Sequence, residues 1–277
     1  MISNEVINKS IDYIIENINN DISVSDVANY CNYSKYYFCR AFKEATGYSV
    51  YAFIKRLKMD YSAAKLLMDK NKSITDIGLQ YGYSPSNYST AFKKYHNKSP
   101  VEFRNANNST EPLFNNILKK QLQFKSFEEY DKIIEIQEMD DFLVLYERYF
   151  GSYMEIKKSW LEFLSKYKRY FKENTIMFTK TYDNPCVTNL DQCMYDICIT
   201  VDKECQLDNV TVIKGGKYAV YHYEGMTEDI LLTYHGLIHV WLDKRGFMID
   251  RGYFLNICKN KIDMSKHAKM DLCIPIK

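Results

Sequence analysis

Fifty residues is the spacing that constrains this chain most. Displaced by that distance, 23–53 lies on 73–103 without a gap. Ser23/Ser73, Asp26/Asp76, Tyr33/Tyr83, Ser34/Ser84, Ala41/Ala91, Phe42/Phe92, Lys43/Lys93, Ser49/Ser99 and Phe53/Phe103 are identical. Val24/Ile74, Val27/Ile77, Ala28/Gly78 and Phe38/Tyr88 are conservative pairs. Chance does not preserve spacing and side-chain type together over such a stretch, so the first hundred residues contain a duplicated structural unit.

Each copy reads as helix, tight turn, helix. In the first, Ser23 or Ser25 is placed to cap a short helix that turns Val24, Val27 and Ala28 inward. The turn falls near Cys31-Asn32, and Gly82 stands at the matching place in the second copy. Both Asn and Gly tolerate the left-handed backbone that a tight turn requires. A second helix starts at a capping serine, Ser34 or Ser84, with Pro85 next, where its missing N–H costs nothing. Two short helices joined in this way form a helix-turn-helix.

The second helix of each copy has two faces. Phe38, Ala41, Phe42 and Ala45 recur at helical spacing and are expected to face the core. Tyr36, Cys39, Arg40 and Lys43 form the opposite stripe, matched by Ser86, Ser89, Thr90 and Lys93. Such side chains suit a major groove: Arg reads guanine, hydroxyls meet bases or phosphates, and Lys meets phosphates. Ser34, Lys35, Ser84 and Asn87 at the helix starts complete the candidate DNA contacts. One stripe alone would be an ordinary solvated face; two in register point to a double-stranded DNA partner. Between the copies, 50–70 reads as one helix carrying Phe53, Leu57, Tyr61, Ala64 and Leu67 or Met68 inward. Its span of ~30 Å matches the ~34 Å between successive major-groove faces. One chain is therefore expected to reach two adjacent groove segments.

At 277 residues the chain has room for two domains, and 46% hydrophobic with 26% charged residues is globular composition. A net charge of +2 decides little, but residues 1–105 hold 14 Lys/Arg against 10 Asp/Glu and the remainder 23 against 25. The basic excess sits in front. The N-terminus lacks the basic-then-apolar layout of a secretory signal, and no stretch approaches the ~18 apolar residues of a membrane span. A soluble, cytoplasmic protein is expected. Cys31, Cys39, Cys186, Cys193, Cys198, Cys205, Cys258 and Cys273 include no Cys-x-x-Cys pair. His96, His222, His235, His239 and His267 show neither metal nor triad spacing; His235 and His239 are four apart but lack the Glu of a zinc motif. Reduced core cysteines, no metal, no cofactor and no catalytic residue are the expectation.

At this point the front half resembles a family. The run Ile22-Ser23-Val24-Ser25-Asp26-Val27-Ala28, then Tyr33-Ser34-Lys35-Tyr36-Tyr37-Phe38-Cys39-Arg40-Ala41-Phe42-Lys43 and Thr46-Gly47-Tyr48-Ser49, is similar to the DNA-binding domain of AraC/XylS-type regulators. So are Ile74-Thr75-Asp76-Ile77-Gly78, Gly82-Tyr83-Ser84, Phe92-Lys93-Lys94 and Lys98-Ser99-Pro100-Val101-Glu102-Phe103-Arg104. The resemblance implies base contacts from Tyr36, Cys39 and Arg40, and from Ser86, Asn87, Ser89 and Thr90. That family often carries Arg where Thr90 stands, so the second unit is expected to grip backbone more than it reads bases.

The polar, aperiodic stretch 105–112 reads as a linker, with a short helix within 113–130. Beyond it, strands are expected at 133–137, 142–149, 176–182, 194–201, 217–223, 254–258 and 271–276, with helices over 151–171 and 228–245. The first helix should turn Met154, Trp160, Leu161 and Leu164 inward. Tyr149-Phe150-Gly151 corresponds to Tyr223-Glu224-Gly225, each before a helix bearing Trp160 or Trp241. This suggests a duplicated β-β-α-β fold. The chain is thus expected to be multidomain: an all-α double helix-turn-helix domain over 1–106, a linker over 107–130, and an α+β domain over 131–277.

The rear half resembles the GyrI-like effector-binding domain of Rob-type regulators. The resemblance rests on Gly151-Ser152-Tyr153 with Trp160, Tyr182-Asp183-Asn184-Pro185 with Thr188, and Cys193-Met194-Tyr195-Asp196. Gly215-Gly216-Lys217-Tyr218-Ala219-Val220, Trp241-Leu242 and Ile274-Pro275-Ile276 complete it. It implies an aromatic pocket between the repeats, with Tyr149, Trp160, Tyr182, Tyr195, Trp241, Tyr253 and Asn256 as candidate lining. Aligned on Asn260, Asn256 stands where the family often has a glutamate for cationic ligands or hydrolysis, and Cys258 where it often has Tyr. Asn carries no charge and cannot act as a general base. The expected function is a sequence-specific transcription regulator responsive to a small aromatic or amphipathic effector, of multidrug-sensing type. Two alternatives stay open: a rear domain that binds a protein such as RNA polymerase, or a GyrI-like hydrolase, which Asn256 disfavours.

Overall fold

The computed structural model describes residues 4–69, 71–105, 124–184, 187–259 and 266–277. Residues 107–123 of the expected linker, with Pro185, Cys186 and Asn260, lie outside this set. The chain divides into two compact units, Met1–Thr110 and Glu111–Lys277.

The first unit contains the helices α1 (Asn4–Glu16), α2 (Val24–Tyr30), α3 (Lys35–Thr46), α4 (Val50–Met68), α5 (Ile74–Gln80), α6 (Pro85–His96) and α7 (Pro100–Asn105). Its repeat holds at the level of single hydrogen bonds. Tyr33 N–H donates to the Ala28 carbonyl and Tyr83 N–H to the Gly78 carbonyl, both at 3.0 Å. Ser23, not Ser25, caps α2 in a capping box with Asp26, and Ser73 caps α5. Asn32 has φ 58° and Gly82 φ 78°, while at the ends of α3 and α6 the choice is reversed, Gly47 at 77° and Asn97 at 58°. Each copy therefore places one Asn and one Gly at its two left-handed positions.

Packing repeats as well. Phe42 meets Phe38 and Phe53 with ring centroids 5.8 and 5.5 Å apart, and Phe92 meets Tyr88 and Phe103 at 5.5 and 5.3 Å. Phe53 and Phe103 come from the first turn or so of the following helix, capped by Ser49 or Ser99. Each helix pair is closed by that added ring. Ala45, expected inside, is exposed, because it lies in the last turn of α3 past the Phe42–Phe53 contact. The bridging helix α4 is packed from several directions, by α3, α5 and α7. Met59, Ala63 and Leu66 join Phe53 and Leu57 in its core, while Tyr61, Ala64 and Leu67, expected inward, are half-buried. Arg56, Lys58 and Asp60 are buried too; Arg56 pairs with Asp60 at 3.4 Å, and Lys58 donates to the Asn20 carbonyl at 3.1 Å.

In the second unit, α8 (Phe127–Ile133) is capped by Ser126 and leads into an antiparallel sheet. Its strands are β1 (Ile134–Met139), β2 (Phe142–Phe150), β3 (Met177–Thr181), β4 (Met194–Thr200), β5 (Val210–Ile213), β6 (Gly216–Met226), β7 (Phe254–Cys258) and β8 (His267–Pro275). Helix α9 (Ile156–Tyr167) joins β2 to β3. Helix α10 (Ile230–Gly236), continued by a π-helical stretch Leu237–Leu242, joins β6 to β7. The order β1-β6-β8-β7-β3-β4-β2-β5 reads equivalently from either end when the first four strands are exchanged for the last four. The duplicated β-β-α-β core is present, and each copy carries one further strand. Residues 194–200 consequently belong to the first copy, and β5 is a strand that hydropathy did not reveal.

Two connections of only two residues, Asp140-Asp141 and Lys214-Gly215, join strands at opposite ends of this order. The sheet must curl until those ends meet. There the loops touch: Gly215 N–H donates to Asp141 Oδ1 at 2.8 Å, and a Cβ on Gly215 would strike the Met139 carbonyl. The inner face of the curl buries Val144, Tyr146, Phe178, Cys198, Tyr218, Val220, Leu255 and Cys273. The outer face carries the helices, with Trp160, Phe163 and Tyr167 of α9 packed on Leu145, Tyr195, Ile197 and Ile199. Met154 and Leu161, expected inward, are exposed; Phe163 and Tyr167 take the buried stripe instead.

Two outcomes follow for the first unit. A Cβ on Gly78 would lie 2.8 Å from the Tyr88 ring, so Gly78→Ala is expected to lower unfolding free energy by about 1–3 kcal/mol in urea titration. His96 is half-buried against Phe92 and Phe103, with Nε2 3.3 Å from the Met59 carbonyl, and this desolvation pushes its pKa down to about 4. Below the ordinary value of 6.5 the unfolded chain takes up a proton that the folded chain refuses. This contribution is whole above pH 6.5 and falls by about 3 kcal/mol as pH drops to 4. Chemical melts of the wild type and His96→Phe across that range should diverge accordingly.

Candidate functional site

On α3, Ser34, Lys35, Tyr36, Arg40 and Lys43 are exposed, Tyr36 to 83%, and Cys39 is half-buried at the margin of the stripe. On α6, Ser84, Ser86, Asn87, Ser89, Thr90 and Lys93 are exposed. Ser34 and Ser84 occupy the N-cap positions, but their side chains make no capping bond, so both hydroxyls stay at the surface. The two stripes are equivalent in position and unlike in chemistry. α3 offers a guanidinium, two ammonium groups and a phenol, whereas α6 offers short hydroxyls, an amide and one ammonium. Thr90 Oγ1 already donates to the Ser86 carbonyl at 3.2 Å.

The effector candidates of the second unit fall in different places. Tyr149, Trp160 and Tyr195 gather around α9 on the outer face. Tyr149 stacks on Tyr195 with centroids 5.6 Å apart, and Tyr195 shares a 2.8 Å hydrogen bond with Ser159. Burial, reinforced by Glu147, pushes the Tyr149 phenol far above its ordinary value. Trp241 donates to Asp131 of α8 at 2.9 Å, and Arg245 pairs with the same carboxylate. Tyr182 and Tyr253 lie with the inner-face residues instead, 6.1 Å apart, with Lys180 over both rings.

Asn256 sits at the centre of the outer face. The central strands β3 and β7 pair Met177 with Cys258, Thr179 with Asn256 and Thr181 with Phe254. Trp160 Nε1 donates to Thr179 Oγ1 at 3.0 Å, and Tyr234 Oη donates to Asn256 Oδ1 at 2.7 Å. These two bonds are counterparts across the pseudo-twofold axis. Helices α9 and α10 start 74 residues apart, as do Trp160 and Tyr234, and Tyr149 and Tyr223. The structural counterpart of Trp160 is therefore Tyr234, not Trp241. Thr179 and Tyr234 escaped sequence reasoning; applying the 74-residue offset along the whole helix, not matching tryptophan to tryptophan, would have found Tyr234. Tyr234 also stacks on Phe254 at 5.1 Å. Burial pushes the Cys258 thiol up to about 12, so it stays protonated.

The inner face holds a buried ion pair. Arg148 grips Asp196 through Nε and Nη2 at 2.7 and 2.9 Å, both side chains 2% exposed, and Tyr182 donates to the same carboxylate at 2.5 Å. Arg148→Met would leave a buried carboxylate without its cation and is expected to cost about 3–5 kcal/mol, read as a shift of the denaturant midpoint. Among the described residues, no group of three or more His, Cys, Asp or Glu is arranged to hold a metal, and no helix is long and apolar enough to cross a membrane.

A duplicated helix-turn-helix unit with outward polar stripes, followed by a pseudo-twofold sheet carrying two helices, defines a DNA-binding regulator with a ligand-binding module. Residues 27–106 match a family model described as a helix-turn-helix domain, and 133–277, more than half the chain, match the GyrI-like small molecule binding domain. The chain belongs to the AraC/XylS-type regulators that carry a GyrI-like domain. It is 36% identical over 87 residues to the probable transcription factor PqrA of Proteus vulgaris, covering 31% of this chain and 70% of that one. To the multiple antibiotic resistance protein MarA of Escherichia coli it is 31% identical over 109 residues, 39% of this chain and 85% of MarA. The likeness to the transcriptional regulator Rob of Salmonella typhimurium runs through both units, 24% over 273 residues and 92% of each chain.

Proposed function

We propose that this cytoplasmic regulator reads DNA chiefly through α3 and grips backbone through α6, and that an uncharged aromatic or amphipathic effector lies between α9 and α10. The observation that carries the reading is the pair of exposed, equivalently placed stripes with unequal chemistry. Arg40 can pair with guanine, and Tyr36 can pack on a thymine methyl or sugar. Lys35, Lys43 and Lys93 suit phosphates, as do the hydroxyls of Ser34, Ser84, Ser86 and Ser89 and the Asn87 amide. Thr90 has its hydroxyl hydrogen engaged within α6. The protein acts by binding alone. Trp160, Thr179, Tyr234, Phe254 and Asn256 line the effector site, while Tyr182, Trp241 and Tyr253 support the fold around it. Effector binding changes DNA affinity only insofar as it favours one of two states of the protein.

Footprinting and anisotropy with labelled promoter DNA test this. Arg40→Ala should lose specific affinity by roughly 10-fold or more while keeping non-specific affinity. Thr90→Ala should change either by no more than roughly 3-fold. An unchanged sequence preference in Arg40→Ala overturns the assignment. Rear-domain silence towards every small compound, with capture of RNA polymerase, would favour a protein partner instead.

A further inference from the structure

The floor of the proposed effector groove, the β3–β7 surface beneath α9 and α10, carries hydrogen-bond donors and no charge. Its outward side chains are Met177, Thr179 and Thr181 from β3, and Phe254, Asn256 and Cys258 from β7. The paired central residues are nearly closed over, Thr179 at 4% and Asn256 at 7% exposure, while Met177, Thr181, Phe254 and Cys258 around them are half-buried.

The pair has hydrogens, not lone pairs, left to offer. Thr179 Oγ1 accepts from Trp160, and among the described residues its own hydroxyl hydrogen goes to no acceptor. Asn256 Oδ1 accepts from Tyr234, and no described group accepts from its amide nitrogen. The helices thus occupy both oxygens from above, and what remains for a ligand is N–H and O–H. Thr179 and Asn256 stand directly opposite each other on neighbouring strands, about 5 Å apart at Cα. A single acceptor oxygen with two lone pairs can bridge them.

The geometry points to an uncharged aromatic ketone, or a compound of that class, as the ligand of this groove, its carbonyl oxygen taking hydrogen bonds from Asn256 Nδ2 and Thr179 Oγ1. This inference rests on the proposed effector site and names its chemistry. A cation would meet no carboxylate on the floor, and a carboxylate would be desolvated with no cation beside it. A carbonyl needs only the two donors. The Tyr234–Phe254 stack provides the apolar surface for the ring system.

Three flat tricyclic probes separate the possibilities by titration of the intrinsic tryptophan fluorescence of the full chain. They are 9-fluorenone with a carbonyl, fluorene without it, and the N-methylacridinium cation. The wild type should bind 9-fluorenone roughly 10-fold tighter than fluorene and N-methylacridinium weakest. Asn256→Asp keeps an acceptor for Tyr234 but removes the donor and adds charge, so it should erase the ketone preference and favour the cation. Thr179→Ser should retain the preference. Thr179→Val, which removes the other donor, should reduce it and replaces Asn256→Asp if thermal melting shows that variant unfolded. Equal binding of 9-fluorenone and fluorene, a wild-type preference for the cation, or an Asn256→Asp protein that still prefers the ketone overturns the inference while leaving the groove as effector site. If none of the three binds the wild type, the effector site itself is misplaced and the inference falls with it.

Discussion

An apolar helix face or strand edge that a small module cannot cover alone must be covered from outside it, and both units of this chain answer that demand by duplication. In the first unit the aromatic pair of each helix-turn-helix is closed by a phenylalanine from the next helix, Phe53 or Phe103. In the second, β1 leaves its own copy to pair with β6, and β5 leaves its copy to pair with β2. That exchange, made through two-residue connections, forces the sheet to curl and buries its inner face, with no helix on that side among the described residues. The absence of a side chain at Gly215 lets the two connections pass.

Duplication fixes where functional groups stand but not what they are. The stripes of α3 and α6 occupy matching positions, yet Arg40 has a threonine as its counterpart. The central strands present Thr179 and Asn256 at matching positions, each bonded from above by a different aromatic, Trp160 or Tyr234. Symmetry of position with divergence of chemistry is what a single chain needs to address an asymmetric target, whether two unequal DNA half-sites or a ligand with one polar atom.

The helix-turn-helix units were legible because their signals are local: a cap, a turn residue and an apolar pair within twenty positions, all repeated. The strands around Trp160 were largely legible from alternation. Four-residue β5 was not, since Val210–Ile213 is too short to show alternation against its polar flanks. α1 lies outside the repeat and was passed over, although Ile7, Ile11 and Ile14 recur at helical spacing. Asn256 was picked out by resemblance, but its environment was hidden. Tyr234 is 22 residues from it in sequence, and Thr179 meets it only through the register of β3 on β7. Residue type misled where spacing would not have, since Trp241 drew attention away from Tyr234.

On the proposed reading the two halves draw on different forces. Contact with DNA rests on Lys35, Arg40, Lys43 and Lys93 against phosphates and bases, so it is coupled to counterion release and weakens steeply with salt. The groove offers two neutral donors set in an uncharged floor, an attraction that screening ions hardly touch. A regulator built this way separates the strength of its grip on DNA, which follows ionic conditions, from the sensing of its effector, which follows only the supply of a ligand with the right acceptor. An ionised glutamate at the Asn256 position would couple effector recognition to charge as well. The amide removes that coupling and leaves shape and one polar atom to decide what is sensed.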